Sequence, residues 1–356
     1  SKPVIVKAPG LVAPDFTWET VTQMDFGFDA SFLNNRLTGT FDWYRRNTKD
    51  MLVAGATLPA TLGASVPKSN SADMKTIGWE LSLGWNDRLE NGFSYWVKGV
   101  LSDYQATITK YAGNDAGFYS QSDGDGKYYV GQKIGEIWGY HSNGLFQSDD
   151  EAATIDQSEL YAGKWGAGDV KYEDLDNDGK ITKGEETIYN PGDKSIIGNK
   201  TPRYQFGITV GFDYKNFDFE MFWQGTGKRD YMLSGAQFWG FTSQWDVPYT
   251  PALDYWTETN TDAYFPRPGW QNGGNRVTSD RYLQSAAYGR LKNLTVGYTI
   301  PKNLTTKWGI SRLRLYVTGE NLLTITPLND AFDPESLGGM TYPINRKVAI
   351  GLNLTL

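Results

Sequence analysis

Residues 174–185, DLDNDGKITKGE, carry the ion chemistry that can be read directly from residue types. Asp174, Asp176 and Asp178 are spaced by two, Gly179 follows, and Glu185 closes the stretch. This matches the calcium loop D-x-[DN]-x-[DN]-G-x5-E at every specified position. A calcium ion takes several hard oxygens, and a loop that coils back on itself aims alternate carboxylates at one centre. Gly179 permits the sharp turn, the carbonyl of Lys180 would add an oxygen, and Glu185 would bind through both of its own. The flanks, VKYE and ETIYNPGD, show no helical pattern. The expectation is an isolated loop with a structural calcium, not a paired sensor hand. A solvated Asp/Gly turn holding no ion has the same residues, so both readings stay open. The shorter DGDG at 123–126 reads as a plain turn.

Other chemistry is thin. His141 is the only histidine, which argues against a His-based triad or a multi-His zinc site. A surface or hydrogen-bonding role is expected for it. There are no cysteines, hence no disulfides and no thiolate chemistry. Carboxylates are abundant, but no pair is seen to converge, so a glycosidase dyad has no support and no enzyme activity is expected. Trp239, Trp245, Trp256 and Trp270 lie among prolines and glycines. They are candidates for stacking on sugar rings; packing of a long loop is the competing role. A net charge of −7 disfavours nucleic acid.

Strands must position these residues. In 203–227, Tyr204, Phe206, Ile208, Val210, Phe212 and Tyr214 share one face, while Gln205, Gly207, Thr209, Gly211 and Asp213 share the other. That is the period of a strand. After Lys215-Asn216 the alternation returns with Phe217, Phe219, Met221 and Trp223, so the stretch is a tight hairpin. Rings at both ends of one apolar face suit the two interfaces of a bilayer. Similar alternation runs through 18–32, 37–43, 77–85, 93–109, 294–300, 313–317 and 348–356. Aromatic residues make up 15% of the 356 residues. The mean hydropathy of −0.50 still suits a barrel, because only every second residue meets lipid. No apolar run approaches the roughly 20 residues of a membrane helix.

The links sort into two kinds. Those at 34–36, 87–92, 215–216 and 301–311 are short, and those at 54–69, 110–202, 228–285 and 322–344 are long. Their strict alternation is that of a membrane barrel with short periplasmic turns and long outer loops. The piece at 132–140 should not span alone, which makes 110–202 and 228–285 long extracellular excursions. The fold expected is all-β: an antiparallel transmembrane β-barrel portion of about nine to ten strands. An odd strand number cannot leave edges in lipid, so more barrel is expected beside it. No charged and apolar leader follows Ser1, so an exported chain would be a processed or partial form.

Several blocks together resemble SusC/RagA-type TonB-dependent transporters. They are PDFTWETVTQMDFGFDASFLNNRLTGTFDWYRRNTKDML, IGWELSLGW, VGQKIGEIWGYHSNGLFQSDDE, GDVKYEDLDNDGKIT and IGNKTPRYQFGITVGFDYKNFDFEMFWQGTG. The resemblance implies the C-terminal part of an outer-membrane barrel of about 22 strands in a Gram-negative bacterium. It also implies import of oligosaccharides or peptides, energy through TonB, and a SusD-like lipoprotein outside. The N-terminal plug, the TonB-contacting segment and the first part of the barrel are not in this sequence, and Leu356 stands where an aromatic commonly ends such barrels. Two rivals are a small passive porin and a secreted calcium-dependent carbohydrate-binding β protein.

Overall fold

The computed structural model describes residues 16–54, 67–112, 114, 116–118, 128–337, 342 and 344–356. The DGDG turn at 123–126 lies outside the described residues. Among the described residues fifteen strands follow in chain order. β1 is Thr20–Phe32, β2 Leu37–Ala54, β3 Lys68–Arg88, β4 Ser94–Tyr111 and β5 Glu136–Tyr140. Then come β6 (Ser142–Leu145), β7 (Val170–Tyr172), β8 (Lys194–Asn199), β9 (Arg203–Tyr214) and β10 (Phe217–Lys228). The last are β11 (Asp230–Met232), β12 (Leu283–Ser285), β13 (Tyr288–Thr299), β14 (Arg312–Ile325) and β15 (Lys347–Thr355).

Nine of these form one antiparallel sheet in the order β1-β2-β3-β4-β9-β10-β13-β14-β15. Every neighbour in this wall is the next spanning strand along the chain. The expected strands are all present, and several run longer than their alternation showed. The strand read at 77–85 spans Lys68–Arg88, and β10 continues to Lys228. β5 pairs with β8 outside the wall, so the piece near 132–140 does not span. No helix of the described residues is long and apolar enough to cross a membrane, which says nothing of crossing by strands.

Register carries the two faces across the wall. Phe217 lies opposite Tyr214 and Tyr298, Phe219 opposite Phe212 and Val296, and Met221 opposite Val210 and Leu294. The same parity exposes Ile77 and Leu83 on β3, Val97 on β4, Leu315 and Val317 on β14, and Ile350 and Leu352 on β15. In water this would be a large apolar defect; in hydrocarbon it is the matching surface. Rings cluster at the short-turn end, where Phe93 stacks on Phe212 and Phe217 packs on Tyr298, with centroids 5.4 and 4.7 Å apart.

The opposite face is polar and interlocked. Thr295 and Thr318 share a hydrogen bond of 2.9 Å, and Arg314 forks onto Asp218 across β13. Gly211 lies opposite Trp96, and a Cβ built on it would overlap the indole. Glycine there lets the ring lie flat on the strand. At Gly99, on the lipid side of β4, a Cβ would meet nothing within 4 Å. Overpacking costs roughly 1–3 kcal/mol. Gly211→Val should therefore lower the thermal unfolding midpoint of the folded barrel in detergent, while Gly99→Val leaves it near the parent value. Equal midpoints for the two variants would contradict this interlock.

Candidate functional site

The two excursions fold together rather than trailing as separate loops. A hydrophobic core joins Tyr140, Val170, Tyr172 and Ile181 from the first to Leu233, Phe238, Phe265 and Tyr282 from the second. Leu328 and Leu337, from the link after β14, complete it. Phe238 and Phe265 meet edge to face at 5.1 Å. This is an ordinary buried core, built outside the wall.

A polar knot locks the same body. Asp169 is fully buried. Arg267 donates to it through Nε at 2.9 Å and Nη2 at 2.6 Å. Asn275 Nδ2 donates at 2.8 Å and the Gly166 N–H at 2.9 Å. Asn275 then accepts the Val170 N–H at 2.8 Å. A buried carboxylate is tolerable only with such complete satisfaction. Arg290, also buried, joins the end of β13 to Asp333 at 2.6 Å and Glu335 at 3.1 Å.

The acidic loop is present but gathers a different set from the one its spacing predicts. Oxygens of Asp174, Asp176 and Asp193 lie within 4.8 Å of one another. Asp178 and Glu185 are not in this group. Asp178 Oδ1 accepts the Lys180 N–H at 2.8 Å, so that carboxylate caps its own turn. Glu185 gives its N–H to the Asn190 carbonyl. Lys180 lies where the strand-like bridge to Asp156 begins. Asp193 is fully buried, and its oxygens accept the N–H groups of Leu175 and Thr182 at 2.8 and 2.7 Å. Partial desolvation pushes the Asp174 carboxyl up, but N–H bonds from Gly179, Asn177 and Asp178 outweigh it and hold the group below the usual range. Desolvation raises Asp176, and the charge of Asp178 adds to this. Three converging hard oxygens are a donor set suited to calcium in kind, though smaller than a full calcium shell.

The tryptophans divide. Trp239 is buried, packed on Tyr282 at 4.6 Å. Trp256 packs against the same core. Trp245 and Trp270 are 83% and 48% exposed. His141 has the hydrogen-bonding role expected of it. Its Nδ1 meets Asp280 and its Nε2 meets Ser195, each at 2.7 Å. That contact order is the one a Ser-His-Asp hydrolase uses. Here it ties both excursions together, beside the bridge of Tyr140 to Ser279. Sequence reasoning missed Asp169, Asp193, Arg267 and Asn275. Their partners are separated by up to about a hundred positions, and no spacing rule covers them.

Comparison with known proteins agrees with this architecture. Residues 6–322 match the family described as TonB dependent receptor-like, beta-barrel. TonB-dependent receptor P3 of Formosa agariphila is 30% identical over 97% of this chain and 35% of its own length. TonB-dependent receptor SusC of Bacteroides thetaiotaomicron is 26% identical over 95% of this chain and 32% of its own. The solved RagAB peptide transporter matches in fold with a TM-score of 0.73 at 22% identity, covering 96% of this chain and 36% of that one. The chain thus spans about a third of the length of these relatives.

Removing Asp169 leaves Arg267 and Asn275 without their acceptor, a loss of about 1–3 kcal/mol for the unmade bonds. Asp169→Ala should speed amide exchange across 141–202 and 229–286 while the wall strands stay protected. Unchanged exchange there would show that the core alone holds the excursions. The chain belongs to the TonB-dependent receptor β-barrel family, as a portion of an outer-membrane barrel.

Proposed function

We propose that this chain forms part of a transporter that imports oligosaccharides or peptides across the outer membrane. A SusD-like surface lipoprotein covers it outside, and TonB supplies energy through parts of the protein beyond this sequence. The observation that carries this reading is the family match joined to the nine-stranded wall, with its apolar outer face and polar, interlocked inner face. Among the described residues β1 and β15 each pair on one side alone, which favours a share in a larger barrel over a small porin. Cells producing the whole transporter should take up its substrate, and a protonophore should stop that uptake. Uptake that continued at full rate would favour a passive pore.

The acidic loop is proposed as a calcium staple. Asp174 and Asp176 come from the spacing read in the sequence, and Asp193 joins them from the far side of the turn. Three carboxylates at this separation repel one another unless a cation or protons intervene. No long helix flanks the loop, so binding would order the excursion locally rather than drive a distant switch. Affinities of about 10⁻⁴–10⁻³ M are usual for extracellular calcium modules. Calorimetry on the whole transporter should show heat in that range, and Asp174→Ala with Asp176→Ala should remove it. No heat from the unaltered protein would make the loop an acidic turn and nothing more.

A further inference from the structure

A cleft in the second excursion is lined by a cation that pairs with no carboxylate among the described residues. The cleft is shallow and open at its mouth, with about 20 Å³ of space within it, enough for one small polar group at its floor. Trp239, Phe241, Tyr255 and Phe265 supply aromatic wall, and Arg267 and Arg276 supply charge. Arg267 is already committed to Asp169.

Arg276 differs. Its Nη1 donates to the carbonyls of Phe241 and Gly269, each at 3.3 Å, and its Nη2 to that of Trp270 at 3.1 Å. Among the described residues no carboxylate forms an ion pair with it, and its Nε makes no hydrogen bond. Burial lowers its pKa from the ordinary arginine value, against a weaker opposing pull from Asp246. The Asp246 carboxylate is itself held by Thr242 and Ser243. Arg203, Arg290 and Arg314, by contrast, each face a carboxylate.

A partly desolvated guanidinium facing only carbonyl dipoles keeps much of its electrostatic demand. An arriving carboxylate meets that demand, and the planar fork of arginine suits its geometry. Aromatic wall beside the charge suits the apolar body that carries such a group. The net charge of −7 makes a cationic cleft a local exception on this chain.

We propose that this cleft recognises a carboxylate on the transported substrate, with Arg276 taking the acid and the aromatic wall its carrier. The inference rests on the import reading above and narrows the substrate to the acidic class. The acid group has two sources, a uronic-acid sugar or a peptide terminus, and they share this chemistry.

Calorimetry on the whole transporter in detergent tests it with two matched pairs. One is digalacturonate and its dimethyl ester; the other is an N-acetylated Phe-Gly-Phe peptide with a free or amidated C-terminus. In at least one pair the acid should bind about tenfold more tightly than its neutral partner. Raising NaCl from about 0.05 to about 0.5 M should shrink that preference in the unaltered protein. Arg276→Gln should abolish it while the protein stays folded and retains uptake of other substrates, and Arg276→Lys should keep part of it. The pair that responds identifies the source of the acid. No acid preference in either pair, or a preference that survives Arg276→Gln, overturns the inference. Protonophore-sensitive uptake is measured in parallel, so its persistence without acid preference would fault this inference alone.

Discussion

A hydrocarbon layer offers a peptide group no hydrogen-bond partner, and the wall of this protein obeys that restriction between its two edge strands. Each interior strand spends its N–H and C=O groups on two neighbours, in sequence order from β1 to β15. Once the backbone is satisfied this way, side chains have only two directions. Period two then forces one face to be apolar and leaves the other free for polar work. The flat-lying Trp96 over Gly211 and the Arg314–Asp218 pair are consequences of that freedom.

Outside the wall the restriction lifts and different physics takes over. Water can serve exposed peptide groups there, so the chain wanders, and order must come from a core. Residues from three links supply it, and Asp169 fixes the two excursions against each other with four N–H donors. The buried acid would be a liability without Arg267. With it, the two longest excursions become one folded body.

This division explains what the sequence made legible. The wall was readable because alternation is local: Phe206, Ile208 and Val210 announce their face without knowledge of any partner. Link lengths were readable for the same reason, and they placed β5 outside the wall. The calcium-type spacing located Asp174 and Asp176, yet it nominated Asp178 and Glu185 where the fold brings Asp193. Spacing describes a loop that closes on itself; here the NPGD turn brings a residue in from outside that loop. The four tryptophans looked alike in sequence. Only the core distinguishes Trp239, packed on Tyr282, from Trp245 at the surface. His141 gave no sign of Ser195 and Asp280, because its partners stand 54 and 139 positions away.

The external body is rooted in four wall strands at once. The first excursion leaves β4 and returns at β9, the second leaves β10 and returns at β13, and Arg290 adds the link beyond β14. Such a body acts as a strap over that arc of the rim. Strands whose ends share a strap cannot part sideways without tearing a hydrophobic core and a buried ion pair. Displacement on this side of the mouth is therefore the tilt of a single rigid cap on its strand ends, and the loops within it do not swing one by one.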